Sequence, residues 1–121
     1  MILVDTSVWI DHLRSGSPTL HEALDEGLVE THPFVIGELA CGNLSNRDEV
    51  ISLMQGLRVA PVATEREALA FIDSRSLMGR GIGYIGVHLL ASAALSGSAR
   101  LWTLDRRLAF IAAELRLSYE E

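Results

Sequence analysis

The sequence has 121 residues, of which 49% are hydrophobic and three are proline, and its formal net charge is −6 at pH 7. This length suits one domain with its own core, and the apolar content excludes a disordered chain. Every apolar run is far shorter than a membrane span, and no secretory signal precedes the first strand, so we expect a cytoplasmic protein. The acidic charge excludes broad attraction to nucleic acid, which requires clustered cations. We therefore predict one domain over residues 1–121 in which any RNA contact is local.

The first third of the chain alternates short β-branched runs with helical patterns. Ser17 places a capping hydroxyl before Pro18, a residue favoured at the first helical position, and Gly27 closes the helix that they open. The predicted elements are a strand over residues 2–4 that ends at Asp5, a helix after it, a helix from Pro18 to Gly27, a strand over residues 28–34 and a helix that opens at residues 36–40 and ends near Gly42.

The remainder of the chain continues the alternation. Ser45 with Asp48 is close to a capping box, and Thr64 with Glu67 is a full one, so each pair predicts the start of a helix. The predicted elements are a helix after Ser45, a strand over residues 58–62, a helix from Thr64 towards Met78, a loop over residues 79–83, a helix over residues 84–95, a strand over residues 101–103, a helix over residues 108–115 and a short strand near residues 117–119. Such alternation predicts an α/β fold with three layers, α/β/α, around a mainly parallel central sheet.

Three acidic residues map to one edge of this sheet. Asp5 ends the first strand, Glu38 lies near the beginning of the helix after the second strand, and Asp105 follows the strand over residues 101–103. Ligands of open parallel sheets collect at the carboxyl ends of the strands, so these acids are expected to converge. Converging carboxylates favour a hard divalent cation such as Mg²⁺ or Mn²⁺, which can activate water for phosphodiester hydrolysis. The alternative for each acid alone is a helix cap or a solvated side chain.

The three acids lie in segments that resemble a known family. The segments are Val4-Asp5-Thr6-Ser7-Val8-Trp9-Ile10, Ile36-Gly37-Glu38-Leu39 and Leu101-Trp102-Thr103-Leu104-Asp105-Arg106-Arg107-Leu108. Together they resemble the PIN-domain family, specifically the VapC ribonuclease toxins of type II toxin–antitoxin pairs. The resemblance implies a metal-dependent endoribonuclease that uses Mg²⁺ or Mn²⁺, acts on RNA, forms a homodimer and is held in check by a cognate VapB-like antitoxin.

The resemblance also implies roles for individual residues. Asp5 and Asp105 would be metal ligands, and Glu38 would be a further acid that shapes the network of metal and water. Thr103 would form a hydrogen bond within the acidic pocket. Thr6 and Ser7 would support Asp5.

One position departs from the family pattern. The family has an aspartate near the start of the helix after the glycine-rich loop, and here that position holds Gly86. Glycine within a helix costs about 1 kcal/mol relative to alanine, and no nearby feature explains it. We interpret Gly86 as a replacement that disarms a toxic enzyme for production; the alternative is a natural origin in a degenerate or antitoxin-sequestering paralogue. Either origin predicts impaired metal binding and strongly reduced cleavage.

Several other residues have both a functional and a structural interpretation. Arg106 and Arg107 are candidates for gripping RNA phosphates, with solvated surface arginines as the alternative. His88 is expected to be packed rather than catalytic, and Trp9 and Trp102 are expected to be buried. The single cysteine, Cys41, is expected to be a buried, unreactive thiol.

Two other functions remain open from the sequence. The first is a non-catalytic PIN-fold module that binds antitoxin or RNA, and the second is a DNA-directed nuclease of related fold. Neither the RNA that is cut nor the choice between Mg²⁺ and Mn²⁺ follows from the motifs, because loop shape governs substrate choice.

Overall fold

Strands and helices alternate through residues 1–120, the part of the chain that the computed structural model describes. The elements are β1 (Ile2–Val4), α1 (Thr6–Ser15), α2 (Pro18–Asp25), β2 (Val29–Thr31), α3 (Pro33–Cys41), α4 (Arg47–Gln55), β3 (Arg58–Val59), α5 (Glu65–Arg75), α6 (Tyr84–Ser96), β4 (Arg100–Trp102) and α7 (Arg106–Glu114). This order confirms the predicted α/β class.

The four strands form one parallel sheet in the order β3-β2-β1-β4. In the centre of the sheet, Leu3 of β1 is in register with Glu30 of β2 and Leu101 of β4. Every residue of β1 and β2 is buried, and consecutive strand residues point to opposite faces, so both faces of the sheet are covered. This confirms the predicted three-layer α/β/α fold.

The strand order creates a crevice at the carboxyl ends of β1 and β4. The chain moves from β1 to β2 and β3 on one side of the sheet, then returns to place β4 on the other side of β1. A reversal of this kind is where open parallel sheets bind ligands, because the following connections turn away from each other. Asp5 directly follows β1, and Asp105 begins the helix that follows β4.

The second strand is shorter than predicted. β2 ends at Thr31, and α3 begins at Pro33, so the prediction of a strand through Phe34 was wrong. His32 is the N-cap of α3, and its Nδ1 accepts a hydrogen bond of 3.0 Å from the backbone N–H of Phe34. Glu38 consequently lies in the second turn of α3 rather than at its beginning.

The two predicted capping boxes differ in outcome. The Thr64 hydroxyl accepts from the Glu67 N–H at 3.1 Å, and the Glu67 carboxylate accepts from the Thr64 N–H at 2.9 Å, which confirms that box. The box predicted at Ser45 is wrong, because the N-cap of α4 is Asn46 and its side chain makes no capping hydrogen bond.

Other element ends shift by a few residues. β3 contains two residues rather than the predicted five, because it pairs only with Glu30 and Thr31 at the end of β2. α5 ends at Arg75, since Ser76 adopts a left-handed conformation with φ of 54°. The predicted terminal strand is reduced to one parallel bridge between Leu101 and Ser118.

The predictions of burial are mostly confirmed. Trp9 and Trp102 belong to the core, and His88 is buried on α6. Cys41 is exposed, so the prediction of a buried thiol was wrong. It is the last residue of α3 and lies three residues after the exposed Glu38, which places both on one outward face of the helix.

Within residues 1–120, none of the helices combines the length and apolar character that crossing a membrane would require.

Candidate active site

The predicted acids line a single open cavity of about 550 Å³ at the carboxyl edge of the sheet. Its acidic lining consists of Asp5, Glu38 and Asp105, and Gly86 lies in the same wall. The remaining lining residues come from the start of α1, the glycine-rich loop and the start of α6 and α7; they are Thr6, Ser7, Ile10, Gly81, Ile82, Gly83, Tyr84, Ile85 and Leu108. The expectation that the sheet gathers these distant acids is therefore confirmed.

Asp5 is the most buried of the three acids, with 8% of its surface exposed. It occupies the N-cap position of α1, but its side chain makes no capping hydrogen bond. Its Oδ2 atom instead accepts hydrogen bonds from Ser7 Oγ at 2.8 Å and Thr103 Oγ1 at 2.7 Å. The carboxylate is thus fixed by two hydroxyls, and the helix-cap alternative is wrong for this residue.

The two hydroxyls also fix the turn between β4 and α7. Ser7 Oγ accepts from the Leu104 N–H at 3.0 Å, and Thr103 Oγ1 accepts from the Asp105 N–H at 3.1 Å. Each hydroxyl has one proton, and both protons are directed at Asp5. The contact of 3.3 Å between Ser7 Oγ and Thr103 Oγ1 is therefore left without a donor proton. The network couples the position of Asp5 to that of Asp105.

Glu38 is exposed and is oriented from α1. The Thr6 hydroxyl donates to Glu38 Oε1 at 2.8 Å. The resemblance implied that Thr6 would support Asp5, and that implication is wrong, because Thr6 contacts the acid of the neighbouring helix instead. Glu38 also lines the acidic cavity.

Asp105 both caps a helix and lines the pocket. Its Oδ1 accepts from the Leu108 N–H at 3.0 Å, so it caps α7 as the structural alternative predicted. The same side chain lines the acidic cavity. The Oδ1 atom therefore stabilises the helix start.

Gly86 lies in the first turn of α6, where Gly83 is the N-cap and makes no side-chain capping bond. A Cβ atom at position 86 would lie 3.3 Å from Leu108 Cδ1 and 3.7 Å from Ile82 Cβ. The position therefore points into the space between the glycine-rich loop and α7. A carboxylate here would lie in the first turn of α6, near the positive end of the helix dipole.

The donor chemistry of the pocket fits a hard divalent cation, because all three acids offer carboxylate oxygens. The number of donors is smaller than such an ion prefers. Within residues 1–120, no three His, Cys, Asp or Glu side chains lie close enough together to hold one metal ion. The pocket therefore has the donor type of a Mg²⁺ or Mn²⁺ site, but Asp5, Glu38 and Asp105 are not close enough in this structure to bind one ion together.

Arg106 and Arg107 are exposed at the start of α7, directly after Asp105. They lie outside the lining of the acidic cavity and border a separate cavity. The structure thus brings the candidate phosphate-binding residues beside the acids but not among them.

Some contributors to the pocket were missed by reasoning from the sequence. Leu108 and Ile82 flank position 86, and Tyr84 and Ile10 line the cavity, yet each reads in the sequence as an ordinary apolar residue. The pairing of Thr6 with Glu38 was also missed, since no local signal links residues 32 positions apart.

A three-layer α/β/α fold with a parallel sheet and an acidic pocket at the topological switch point defines a class of α/β proteins. In this class the ligand site lies at the strand ends. Within that class, this chain belongs to the PIN domain family, which matches residues 2–114. The chain is 47% identical over 121 residues to Ribonuclease VapC32 of Mycobacterium tuberculosis, both from strain CDC 1551 / Oshkosh and from strain ATCC 25618 / H37Rv. Each alignment covers 100% of this chain and 98% of the relative. The family resemblance is thereby confirmed.

Proposed function

We propose that this chain is a metal-dependent endoribonuclease toxin of the VapBC type. We also propose that its RNA-cleaving activity is impaired, because Gly86 occupies the position where a metal-ligating aspartate is expected. The observation that carries the proposal is that Asp5, Glu38 and Asp105, which are far apart in the sequence, line one cavity. The name of the relatives, Ribonuclease VapC32, and their 47% identity over the whole chain support RNA as the substrate.

In this proposal Asp5 and Asp105 hold Mg²⁺ or Mn²⁺. An ion held there would lower the pKa of a bound water and would offset charge on the scissile phosphate. Ser7 and Thr103 hold the Asp5 carboxylate in one orientation, and the Thr103 hydroxyl links it to the backbone of Asp105. Glu38, oriented by Thr6, accepts a hydrogen bond from water in the pocket and helps to position that water.

We infer that Arg106 and Arg107 contact the RNA backbone. Both are exposed, and both immediately follow Asp105. Guanidinium groups form charge-assisted hydrogen bonds with phosphate oxygens, which brings RNA towards a pocket that would otherwise repel it. The net charge of −6 makes this local attraction necessary.

The partners in this proposal are RNA in the cytoplasm, a cognate VapB-like antitoxin and a second copy of the chain. An antitoxin segment that carries an arginine complements the acidic cavity, because opposite charges at an interface favour association. Occupation of the cavity by that segment would exclude RNA and keep the toxin inactive.

A second candidate function is a non-catalytic module that binds antitoxin or RNA. Position 86 lacks a carboxylate, and no group of three metal-ligating side chains is present within residues 1–120. A chain with this pocket could still occupy antitoxin without cutting RNA.

The experiment that separates these functions is Gly86→Asp assayed for RNA cleavage in Mg²⁺ and in Mn²⁺. We expect little cleavage by the chain as written and a strong gain in the variant, because the substitution adds the missing carboxylate. Gly86→Asn is the matched control, since it adds nearly the same volume without the charge. Adding Asp5→Asn to Gly86→Asp should abolish the gained activity, which excludes a contaminating ribonuclease.

Three outcomes would contradict the proposal. If folded Gly86→Asp cuts no RNA with either metal and still binds antitoxin, the non-catalytic function is correct. If it cuts single-stranded DNA in preference to RNA, the chain has the scaffold of a DNA-directed nuclease. Cleavage by the chain as written at the rate of Gly86→Asp would show that residue 86 is not a ligand position.

A further inference from the structure

A second cavity, of about 310 Å³, lies along α7 next to the acidic pocket. Its lining combines three cations with apolar side chains: Arg80, Arg106, Arg107, Phe110 and Ile111. We call this cavity the arginine–phenylalanine groove. It is a local concentration of positive charge on a chain whose net charge is −6.

Two of the three arginines are free to bind an anion. Among residues 1–120, neither Arg106 nor Arg107 has a carboxylate within ion-pair distance. Arg80 differs, because its guanidinium donates to both oxygens of Glu114 at 3.3 and 2.9 Å. That pairing lowers the pKa of Glu114 below its ordinary value and fixes Arg80 as a wall of the groove.

Phe110 is the second component of the groove. Phe110 is 69% exposed, whereas phenylalanine is among the residue types most often buried. It follows Arg106 by four residues and Arg107 by three, so the three side chains lie on one face of α7. An exposed aromatic residue therefore lines the same cavity as two arginines that have no carboxylate partner among residues 1–120.

The groove adjoins the acidic pocket through Arg107 and Gly81. The Arg107 guanidinium packs directly against Gly81, at a place where a Cβ atom would collide with it. Gly81 also lines the acidic cavity, and Asp105 precedes Arg106 in the chain. A strand of nucleic acid that leaves the acids can thus pass over the start of α7 into the groove.

We propose that the arginine–phenylalanine groove binds the nucleotides next to the scissile phosphate of a single-stranded RNA. Arg106 and Arg107 contact backbone phosphates, and a base stacks on Phe110. A basic track combined with an exposed aromatic ring is how proteins hold single strands, since every base has a face that can stack. The inference rests on the proposed ribonuclease function and adds a substrate subsite to it.

The test is the affinity of the full chain for a short fluorescein-labelled single-stranded RNA, measured by fluorescence anisotropy over a range of salt concentrations. The chain as written is suitable because we expect it to cut RNA only weakly. Phe110→Ala should weaken binding about 5-fold or more and leave the salt dependence unchanged, because it removes stacking alone. Arg106→Ala with Arg107→Ala should weaken binding and reduce the slope of log K against log salt by about 0.7 per lost phosphate contact.

Matched controls come from other faces of the molecule. Leu53→Ala removes an apolar side chain that is 58% exposed on α4, and Arg66→Ala removes an exposed cation from α5. Neither variant should change the affinity or the salt slope. Circular dichroism of each variant shows whether it is folded.

The outcomes distinguish this inference from the proposed function. If RNA binds and all groove variants bind as tightly as the controls, the groove proposal is overturned and the ribonuclease proposal stands. If Phe110→Ala leaves the RNA affinity unchanged and alters only the oligomeric state of the protein in solution, the groove is an interface between copies. The proposal is then likewise overturned. If neither the chain nor Gly86→Asp binds or cuts RNA, both proposals fail.

Discussion

At the scale of single residues, the side chain at position 86 affects both the charge of the acidic pocket and the volume left open in it. Glycine there leaves the N-terminal turn of α6 without an acid, and Leu108 lies where a side chain would extend. The contact of 3.3 Å to Leu108 Cδ1 is tight, so any side chain at this position requires a small movement of that leucine. The flexible end of a leucine side chain can make that movement.

Gly86→Asp should therefore change how strongly the protein binds Mn²⁺. We expect Mn²⁺ to raise the Tm of Gly86→Asp by an amount that grows with the logarithm of its concentration above Kd, and to have little effect on the protein with Gly86, because an ion that binds only the folded state stabilises it. Thermal unfolding followed by circular dichroism measures the shift. An equal Mn²⁺ response in Gly86→Asn would contradict a carboxylate requirement at this position.

Thr103 provides a second test at the residue scale. Thr103→Val keeps the shape of the side chain and removes the hydroxyl that bonds Asp5 and the Asp105 N–H. We expect the free energy of unfolding to fall by about 1–3 kcal/mol, because buried partners lose their hydrogen bonds. Urea unfolding gives the value, and Thr6→Val, which breaks a bond to the exposed Glu38, should cost less. A larger loss in Thr6→Val would show that the buried network does not hold the site together.

At the scale of elements, the start of α3 depends on a buried histidine. His32 is fully buried, and its pKa is lowered to about 4, first by desolvation and then by the charge of His88. Burial also lowers the pKa of His88. Within residues 1–120, His32 Nε2 and His88 Nδ1 are buried without a hydrogen-bond partner. The neutral forms of both imidazoles are therefore the ones that fit the folded protein.

Stability should consequently fall on acidification. Between the ordinary histidine pKa of 6.5 and the folded value of about 4, the unfolded chain binds a proton that His32 in the folded chain does not. The contribution of neutral His32 to the free energy of unfolding is therefore fully present above pH 6.5. About 2 kcal/mol of that free energy is lost by pH 5. Urea unfolding at pH 7.5 and pH 5 measures the loss.

His32→Asn should remove most of this pH dependence while keeping an acceptor for the cap of α3, because asparagine is a good N-cap and does not titrate in this range. His21→Asn, on the exposed face of α2, is the control and should retain the dependence. A full acid-induced loss in His32→Asn would assign the effect to other groups.

The glycine-rich loop is the element that joins the two cavities. Gly81 has φ of 84°, and the guanidinium of Arg107 occupies the place of its missing side chain. Gly81→Ala should therefore destabilise the fold by about 1 kcal/mol or more and displace Arg107 from the loop. Gly79→Ala, at φ of 72° with no atom within 4 Å of an added Cβ, carries the backbone strain without the collision. Equal RNA affinities of the two variants would show that the position of Arg107 is unimportant for binding.

At the scale of the whole molecule, the sequence predicts the fold well because strong local signals mark most element starts. Ser17 with Pro18, the box of Thr64 and Glu67, and the β-branched run of β1 are each found where predicted. The failures lie where tertiary contacts override weak signals. A buried histidine caps α3, and β3 has only two partner residues on β2.

The site is less predictable than the fold. Convergence of Asp5, Glu38 and Asp105 follows from parallel topology and was expected. The partner of Thr6 depends on how α1 packs against α3, and the approach of Leu108 to position 86 depends on how α7 packs against α6. Such distances between helices carry no local signature. The prediction of one domain over residues 1–121 and that of a homodimer stay predictions.

The most direct measurement is an anomalous difference map from crystals of Gly86→Asp grown in Mn²⁺. We predict one strong peak between the carboxylates of Asp5, Asp105 and the substituted residue, and a much weaker peak in crystals of the chain as written. Absence of a peak in this cavity, or a peak bound only by residues outside it, would contradict the assignment of the acidic pocket as a metal-dependent active site.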